Sequence, residues 1–366
     1  MTLELDLLPD GGMSWLEASG PESVLVLSTR IRLARNLQGC VFPGRASDEQ
    51  RGTVMREVVV AGRESPVLDG AALVQVDELL ELERMVLYER HLVSRELVGL
   101  DRRNRNRRAA AVLTTGDLGV MVNEEDHLRI QSLGSGLAID QVYARLERLD
   151  SDLGGRLPIA FHPEFGYLTA CPTNTGTGLR ASVLMHLPGL VLTKEIAKVL
   201  QGLSQVGLTF RGLYGEGSEV VGNFFQLSNQ TTLGKSEEEL LDHLAKMVEQ
   251  VIVWERQARD VLQREAATVI EDKVWRAYAW LRYARQLPFD ETMNLLSGVR
   301  LGVGLNLISD VSVYTLNKLL IYTQPANLAY QEGLEVSDPE LDVRRATYVR
   351  ELLEEDAGRG LSHGGA

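Results

Sequence analysis

Apolar and polar positions alternate along residues 24–35, Val-Leu-Val-Leu-Ser-Thr-Arg-Ile-Arg-Leu-Ala-Arg, which predicts a β-strand. A period of two sets Arg30 and Arg32 on the same face of that strand. Shorter runs at 109–115 and 118–123 read as strands joined by a hairpin turn at Gly116-Asp117. Strand continues through 128–130, as an interrupted pair at 161–170, and at 180–187, 208–212 and 220–227. Helical spacing marks 47–61, capped by Ser47 or Asp48, and 77–94, where Leu79, Leu80, Leu82, Met85, Val86 and Leu87 make an apolar face. It returns at 138–149 and 192–206. After Gly234 the texture changes. Residues 236–284 are almost continuously helical, and the chain to 355 alternates short helices with proline and glycine breaks.

This pattern divides the chain into a loose leader at 1–20, a mixed domain at 21–254, a helical domain at 255–356 and a disordered tail at 357–366. Of 366 residues 44% are hydrophobic, enough for two cores, yet no apolar run reaches transmembrane length and the acidic N-terminus is unlike a signal peptide. A cytoplasmic protein is expected, with Cys40 and Cys171 as free thiols. The formal net charge of −13 argues against direct nucleic-acid binding and favours basic partners. No His/Cys cluster has metal-ligand spacing, so no direct metal site is expected.

Candidate chemistry concentrates in three places. Residues 171–182, Cys-Pro-Thr-Asn-Thr-Gly-Thr-Gly-Leu-Arg-Ala-Ser, put a thiol, a glycine turn and Arg180 within ten positions. Gly176, Gly178 and Ala181 fit the letters of a dinucleotide-binding turn, but that turn must open a helix, and here a strand follows. The turn is either an ordinary β-turn or a set of backbone N–H groups offered to an anion, with Arg180 beside it. At 123–130, Asn-Glu-Glu-Asp-His-Leu-Arg-Ile, three adjacent carboxylates stand beside His127 and Arg129. Such a cluster is either solvent-exposed or compensated by cations. Arg30 and Arg32 likewise form either an exposed basic edge or a clamp on an anion. The run at 101–108, with five arginines in eight residues, is a solvated loop or a docking or self-phosphorylation segment.

Taken in order, 28–32, 123–130, 171–182, 211–219 (Arg-Gly-Leu-Tyr-Gly-Glu-Gly-Ser-Glu) and 228–235 resemble the catalytic domain of the phosphagen (guanidino) kinases, and most of all the bacterial branch that phosphorylates arginine in proteins. The resemblance covers residues 20–255. It implies an α+β fold, an antiparallel β-sheet flanked by helices, followed here by an all-α domain that the small-metabolite members lack. It implies ATP and Mg2+ as cofactors. Ser28, Arg30, Arg32, His91, Arg129, Arg180 and Arg211 would hold the nucleotide. Glu125 and Glu216 would grip the substrate guanidinium and accept its proton, Cys171 would add a third negative group as a thiolate, and Glu124 would approach magnesium through water. Leu184 and Gln226 replace a histidine and an aspartate of the small-guanidino kinases.

The implied function is ATP-dependent phosphorylation of protein arginine, marking proteins for regulated degradation and the stress response. The implied partners are proteins with exposed arginines (a heat-shock repressor among them), a zinc-finger activator, an AAA+ unfoldase–protease and a second copy in a homodimer. Two alternatives stand beside it. One is a kinase for free arginine or another small guanidino compound. The other is a phosphoarginine-binding adaptor, because 341–346, Leu-Asp-Val-Arg-Arg-Ala, resembles the branch's Arg-Asp-x-x-Arg-Ala motif with leucine in the first place. Asp342 would grip a guanidinium there and Arg345 a phosphate, unless the stretch is an ordinary helix end.

Overall fold

The alternating stretch becomes β1 (Val26–Arg35) and lies in the interior of the sheet. In a computed structural model the described residues are 13–100, 108–212 and 221–363. The further strands are β2 (Ala72–Gln75), β3 (Ala111–Thr114), β4 (Leu118–Val122), β5 (Leu128–Ser135), β6 (Phe161–His162), β7 (Gly166–Tyr167), β8 (Leu179–His186), β9 (Leu208–Arg211) and β10 (Phe224–Asn229). Eight of them form one sheet in the order β2-β3-β4-β5-β1-β8-β10-β9, and β6 and β7 pair separately. Neighbours throughout are antiparallel.

One face of this sheet is apolar. Ile31, Leu33, Leu128, Ile130, Ala181, Val183 and Leu227 are buried in a core shared with α1 (Asp48–Glu64), α3 (Ile139–Gly154) and the first half of the long α6 (Glu237–Glu265). Ser47 caps α1 and Ser236 caps α6, each in a reciprocal box with Gln50 or Glu239 that satisfies backbone donors at the helix start. The opposite face carries the arginines.

Several elements differ from the sequence pattern. The helix expected over 77–94 is shorter, α2 (Glu81–Glu89). Residues 72–75 are drawn into β2 by pairing with β3, and a 3-10 turn takes Val76–Glu78. The helix expected over 192–206 is two, α4 (Pro188–Leu192) and α5 (Ile196–Gln205), broken where Lys194 takes a left-handed backbone (φ 64°). Residues 13–20 are not a loose leader. A 3-10 turn at Ser14–Glu17 seats Trp15 and Leu16 in a buried cluster with Leu27, Phe224, Met293 and Leu320. Truncating a buried tryptophan of this kind costs about 3–5 kcal/mol.

The helical part comprises α7 (Ala267–Tyr283), α8 (Phe289–Gly304), α9 (Val313–Tyr322), α10 (Pro325–Glu332) and α11 (Glu340–His363). Helix α6 spans the expected boundary at 255. Its residues up to Ala258 pack in the sheet core, and Leu262 packs with α7, α8 and α11 in a second core. The tail expected from 357 is helical to His363, held at its base by Leu353 in the core and by Asp356, which accepts from the Ser312 N–H at 2.6 Å. Arg300 of α8 is 2% exposed. It donates to the Ser23 and Val24 carbonyls and to Asn317, tying the entry of β1 to the helices. Cys40 and Cys171 are free thiols, and no helix of the described residues is long and apolar enough to cross a membrane.

Candidate active site

Antiparallel register decides which polar side chains meet. Arg32 stands opposite Arg180 on β8 and opposite Gln131 on β5, while Arg30 stands opposite Ser182 and Leu133. Ser28 faces Leu184, Leu184 faces Gln226, and Gln226 faces Arg211 at the far edge. Directly opposed residues share a face, and Arg129 lies on it two positions from Gln131. Three strands, β1, β5 and β8, thus deliver Arg30, Arg32, Arg129 and Arg180 to one surface, and β9 sets Arg211 farther along it.

The charge there is unbalanced. Burial, then repulsion from Arg129, lowers Arg30 to about 10, and burial with the charges of Arg30, Arg129 and Arg180 lowers Arg32 well below the ordinary guanidinium value. All stay protonated at neutral pH, so the direction records a positive field in want of an anion. The Arg32 Nε is buried without a hydrogen-bond partner. Arg30 reaches Gln226 Oε1 at 3.2 Å.

At one end of this face the Arg30 side chain, Ser28, His91, Leu184 and Gln226 line a small cavity. His91 enters it from the turn after α2 with a left-handed backbone (φ 59°), and burial with the charges of Arg30 and Arg32 lowers its imidazole to about 3. It is neutral in the pH range where proteins work. Gln131 holds the turn by donating to the carbonyls of His91 and Leu92 at 3.1 and 2.9 Å.

At the other end lie the carboxylates, delivered by the loop between β4 and β5. Glu124 is 2% exposed and ion-paired with Arg129. Burial alone would raise its carboxyl, but Arg129, the Ser94 hydroxyl and the Glu125 N–H more than offset this and hold it below the usual range. Both its oxygens are engaged, Oε2 by the Glu125 N–H at 2.9 Å and Oε1 by Arg129. Glu125 is half-buried and behaves oppositely. Burial, then the charge of Glu124, pushes it up to about 7. Two neighbouring carboxylates are thereby separated, one held toward its ionised form and one poised to exchange a proton near neutrality.

Asp126 and His127, which the pattern leaves without separate roles, hold this loop in place. Asp126 Oδ1 accepts from Asn36 Nδ2 and from the Ala170 N–H, both at 2.6 Å, fastening the carboxylate loop to the segment that carries Cys171. His127 accepts from the Leu37 N–H on Nδ1, and its Nε2 lies 3.0 Å from the Val41 carbonyl, so the ring bridges backbone. Cys171 is half-buried, its Sγ 3.0 Å from Thr173 Oγ1, at the head of a 3-10 turn (Pro172–Asn174).

The glycine turn is not an anion cradle. The N–H groups of Gly176, Thr177 and Leu179 are spent on Tyr167 O, Thr232 O and Thr177 Oγ1. Its glycines serve close backbone crossings. A Cβ on Gly176 would come within 2.3 Å of the Thr232 carbonyl, at a φ of +115°.

Glu216 and residues 101–107 of the arginine-rich run lie outside the described residues. Arg345 does not stand ready for a phosphate. It is 1% exposed, with Nε on the Thr323 carbonyl at 2.8 Å and Nη1 on the Leu287 carbonyl at 2.8 Å and on Asp342. Leu341 beside it is buried with Leu328 and Ala329, so this stretch is packed as a helix start. Of the residues that line the site, Ser182, Leu133 and Gln131 escape a reading by residue type. Only register could find them, since each sits opposite an arginine of β1.

Comparison with known proteins agrees with this geometry. Residues 55–258 match the ATP:guanido phosphotransferase, C-terminal catalytic domain, and residues 267–362 match the protein-arginine kinase McsB C-terminal domain. The chain is 44% identical over 342 residues to the protein-arginine kinase of Desulforamulus reducens (93% of this chain, 95% of that one). It is 41% identical over 349 residues to that of Bacillus subtilis, covering 94% of each. Among solved structures it is similar to the duplicated taurocyamine kinase from Schistosoma mansoni with bound transition state analog components. The TM-score is 0.59 at 28% identity, over 69% of this chain and 35% of that one, so it spans about a third of the duplicated chain. Lombricine kinase gives a TM-score of 0.56 at 26% identity, over 66% of this chain and 70% of that one. An arginine-lined sheet face, a carboxylate loop at its end and a helical second part accord with these matches: the chain belongs to the protein-arginine kinase family of ATP:guanido phosphotransferases.

Proposed function

We propose that the chain transfers the γ-phosphoryl group of ATP to the guanidinium of arginine side chains in proteins. The observation that carries this reading is the pairing of an unbalanced arginine face with Glu125, a half-buried carboxylate raised to about 7 at its end. Phosphoryl transfer needs in-line placement and neutralisation of the equatorial oxygens. Arg32 and Arg180, adjacent across β1 and β8, with Arg30 and Arg129 flanking them, supply fork-shaped donors for the phosphates. Arg211 extends this set along the sheet. Ser28 and His91 line the nucleotide's end. Glu124 would hold magnesium through water, and the ion would supply neutralisation of the charge that develops on the phosphates.

The acceptor is protonated in water, so its nitrogen must lose a proton to become nucleophilic. Glu125 orients the guanidinium and takes that proton as the N–P bond forms and the Pγ–O bond to ADP breaks. In the same reading Glu216 is its partner and Cys171 stands beside the guanidinium. The reading extends to phosphoarginine as a mark for regulated degradation under stress. A heat-shock repressor as substrate, a zinc-finger activator, an AAA+ unfoldase–protease and a homodimer are the partners it implies. The buried engagement of Arg345 favours the kinase over the adaptor.

Incubation with MgATP and a folded arginine-rich protein, followed by mass spectrometry under neutral conditions, tests it. Acid-labile phosphate on arginine is expected. Phosphate confined to serine, threonine or tyrosine, or none at all, contradicts it.

A further inference from the structure

Among the described residues that line the cavity, His91 alone has a left-handed backbone, φ 59°, which is uncommon for a residue other than glycine although histidine tolerates it better than most. Such a conformation persists only where its surroundings over-determine it. Gln131 of the sheet supplies one restraint. Two more come from the other part of the molecule.

Two positions before His91, Glu89 is 5% exposed and inserts its carboxylate into the N-terminus of α10. Its Oε1 accepts from the Ala326 N–H at 3.0 Å, and its Oε2 from the N–H and Nδ2 of Asn327 at 2.8 and 2.9 Å. Arg90 returns the contact, its Nε donating to Asn327 Oδ1 at 2.8 Å. Asn327 is fully buried and serves both side chains at once. On the other side of the turn, the Trp15 ring packs edge-on against the His91 ring at 5.6 Å. Trp15 is held in place from the same helical part, since it packs with Leu320 and Ile321 of α9 and Asn317 Nδ2 donates to the neighbouring Leu16 carbonyl at 2.8 Å. The contacts of Glu89 and Arg90 with α10 and of Leu16 with Asn317 span 237 residues or more, so the catalytic sheet cannot build them alone.

We infer that Asn327 is a positioning residue for nucleotide binding: through Glu89 and Arg90 it fixes the His91 turn, so the helical part sets the affinity of the catalytic part for ATP. Trp15 supports the same ring from the opposite side. This rests on the reading of the His91 cavity as part of the nucleotide site. It adds a role for the helical part that is independent of any ligand bound there. A looser turn would leave the arginine clamp and Glu125 untouched, because they lie on β1, β5, β8 and the carboxylate loop. The cost should therefore fall on binding and spare the chemical step.

The test is a double-mutant cycle in the full chain between Asn327→Ala and His91→Ala, with ATP affinity by calorimetry and kcat at saturating ATP on one arginine-containing protein. Asn327→Asp, which keeps the volume and the acceptor for Arg90 but sets a carboxylate against Glu89, is the second variant. Thermal unfolding confirms that each is folded. Asn327→Ala and Asn327→Asp should each weaken ATP binding at least about fivefold, with saturated kcat within about twofold of the parent. In the His91→Ala background Asn327→Ala should add less than about twofold. Full additivity, or a fall in kcat and melting temperature with ATP affinity unchanged, overturns the inference and leaves Asn327 a structural residue. If His91→Ala alone leaves ATP affinity unchanged, it is the assignment of the cavity to the nucleotide that fails.

Discussion

At the scale of single residues the proposed chemistry rests on Glu125. Burial and the charge of Glu124 raise its carboxyl to about 7, while Glu124 is held ionised by Arg129. A proton acceptor must be ionised to act, so activity should be lost as pH falls through that value. At pH 6 roughly nine in ten Glu125 carboxyls are protonated, and kcat/KM, which reports the free enzyme, should fall about tenfold per pH unit below it. A pH–rate profile flat between 5.5 and 8 would remove Glu125 from the proton transfer. Glu125→Gln keeps shape but cannot accept the proton. Single-turnover rates should drop roughly 10²-fold or more, while ATP affinity measured by calorimetry is retained or improved. Cys171→Ser should be milder, because in the proposed mechanism the thiol forms no bond to phosphorus. Loss of ATP affinity with an unchanged single-turnover rate in Glu125→Gln would assign the carboxylate to the nucleotide instead.

Among elements, the β1–β8 pair explains how the clamp is built and what it costs. Arg32 and Arg180 lie directly opposite, and like charges so placed destabilise a strand pair by roughly 0.2–1 kcal/mol. Arg180→Met should therefore raise the melting temperature of the nucleotide-free protein while lowering turnover at least about tenfold, with calorimetry and a kinase assay as the two readouts. A lower melting temperature with normal turnover would mean that the pair serves the fold. Arg180→Lys keeps charge but loses the fork, and at least about tenfold loss is again expected, about 1.4 kcal/mol of transition-state stabilisation. Much of this was legible beforehand. Period two in 24–35 and the stop at Pro188 placed β1 and β8, and Arg30, Arg32, Arg129 and Arg180 arrive on one face. Pairing was not legible, since nothing local says that residue 32 meets residue 180 rather than another arginine. Long-range pairing also explains the misread helix at 77–94, whose leucine-rich start satisfies helical spacing while its upstream neighbours 72–75 complete the sheet against β3. Asp126 escaped for the same reason, because its partner Ala170 is 44 residues away.

For the whole molecule, the helical part is fastened to the catalytic part by buried polar contacts. Arg300 on the Ser23 and Val24 carbonyls and Glu89 at the start of α10 are examples, and both are too buried to separate without stranding charge. A motif reading of 341–346 could not foresee that Arg345 is consumed in this packing, since burial of an arginine depends on carbonyls supplied by Leu287 and Thr323. Together with the net charge of −13, which favours basic partners over the molecule as a whole, the joined architecture argues for a macromolecular acceptor. The most direct test is turnover with free arginine and with a folded arginine-rich protein at equal arginine concentration and saturating MgATP. The account predicts faster phosphorylation of the protein, on arginine; faster phosphorylation of the free amino acid would contradict it.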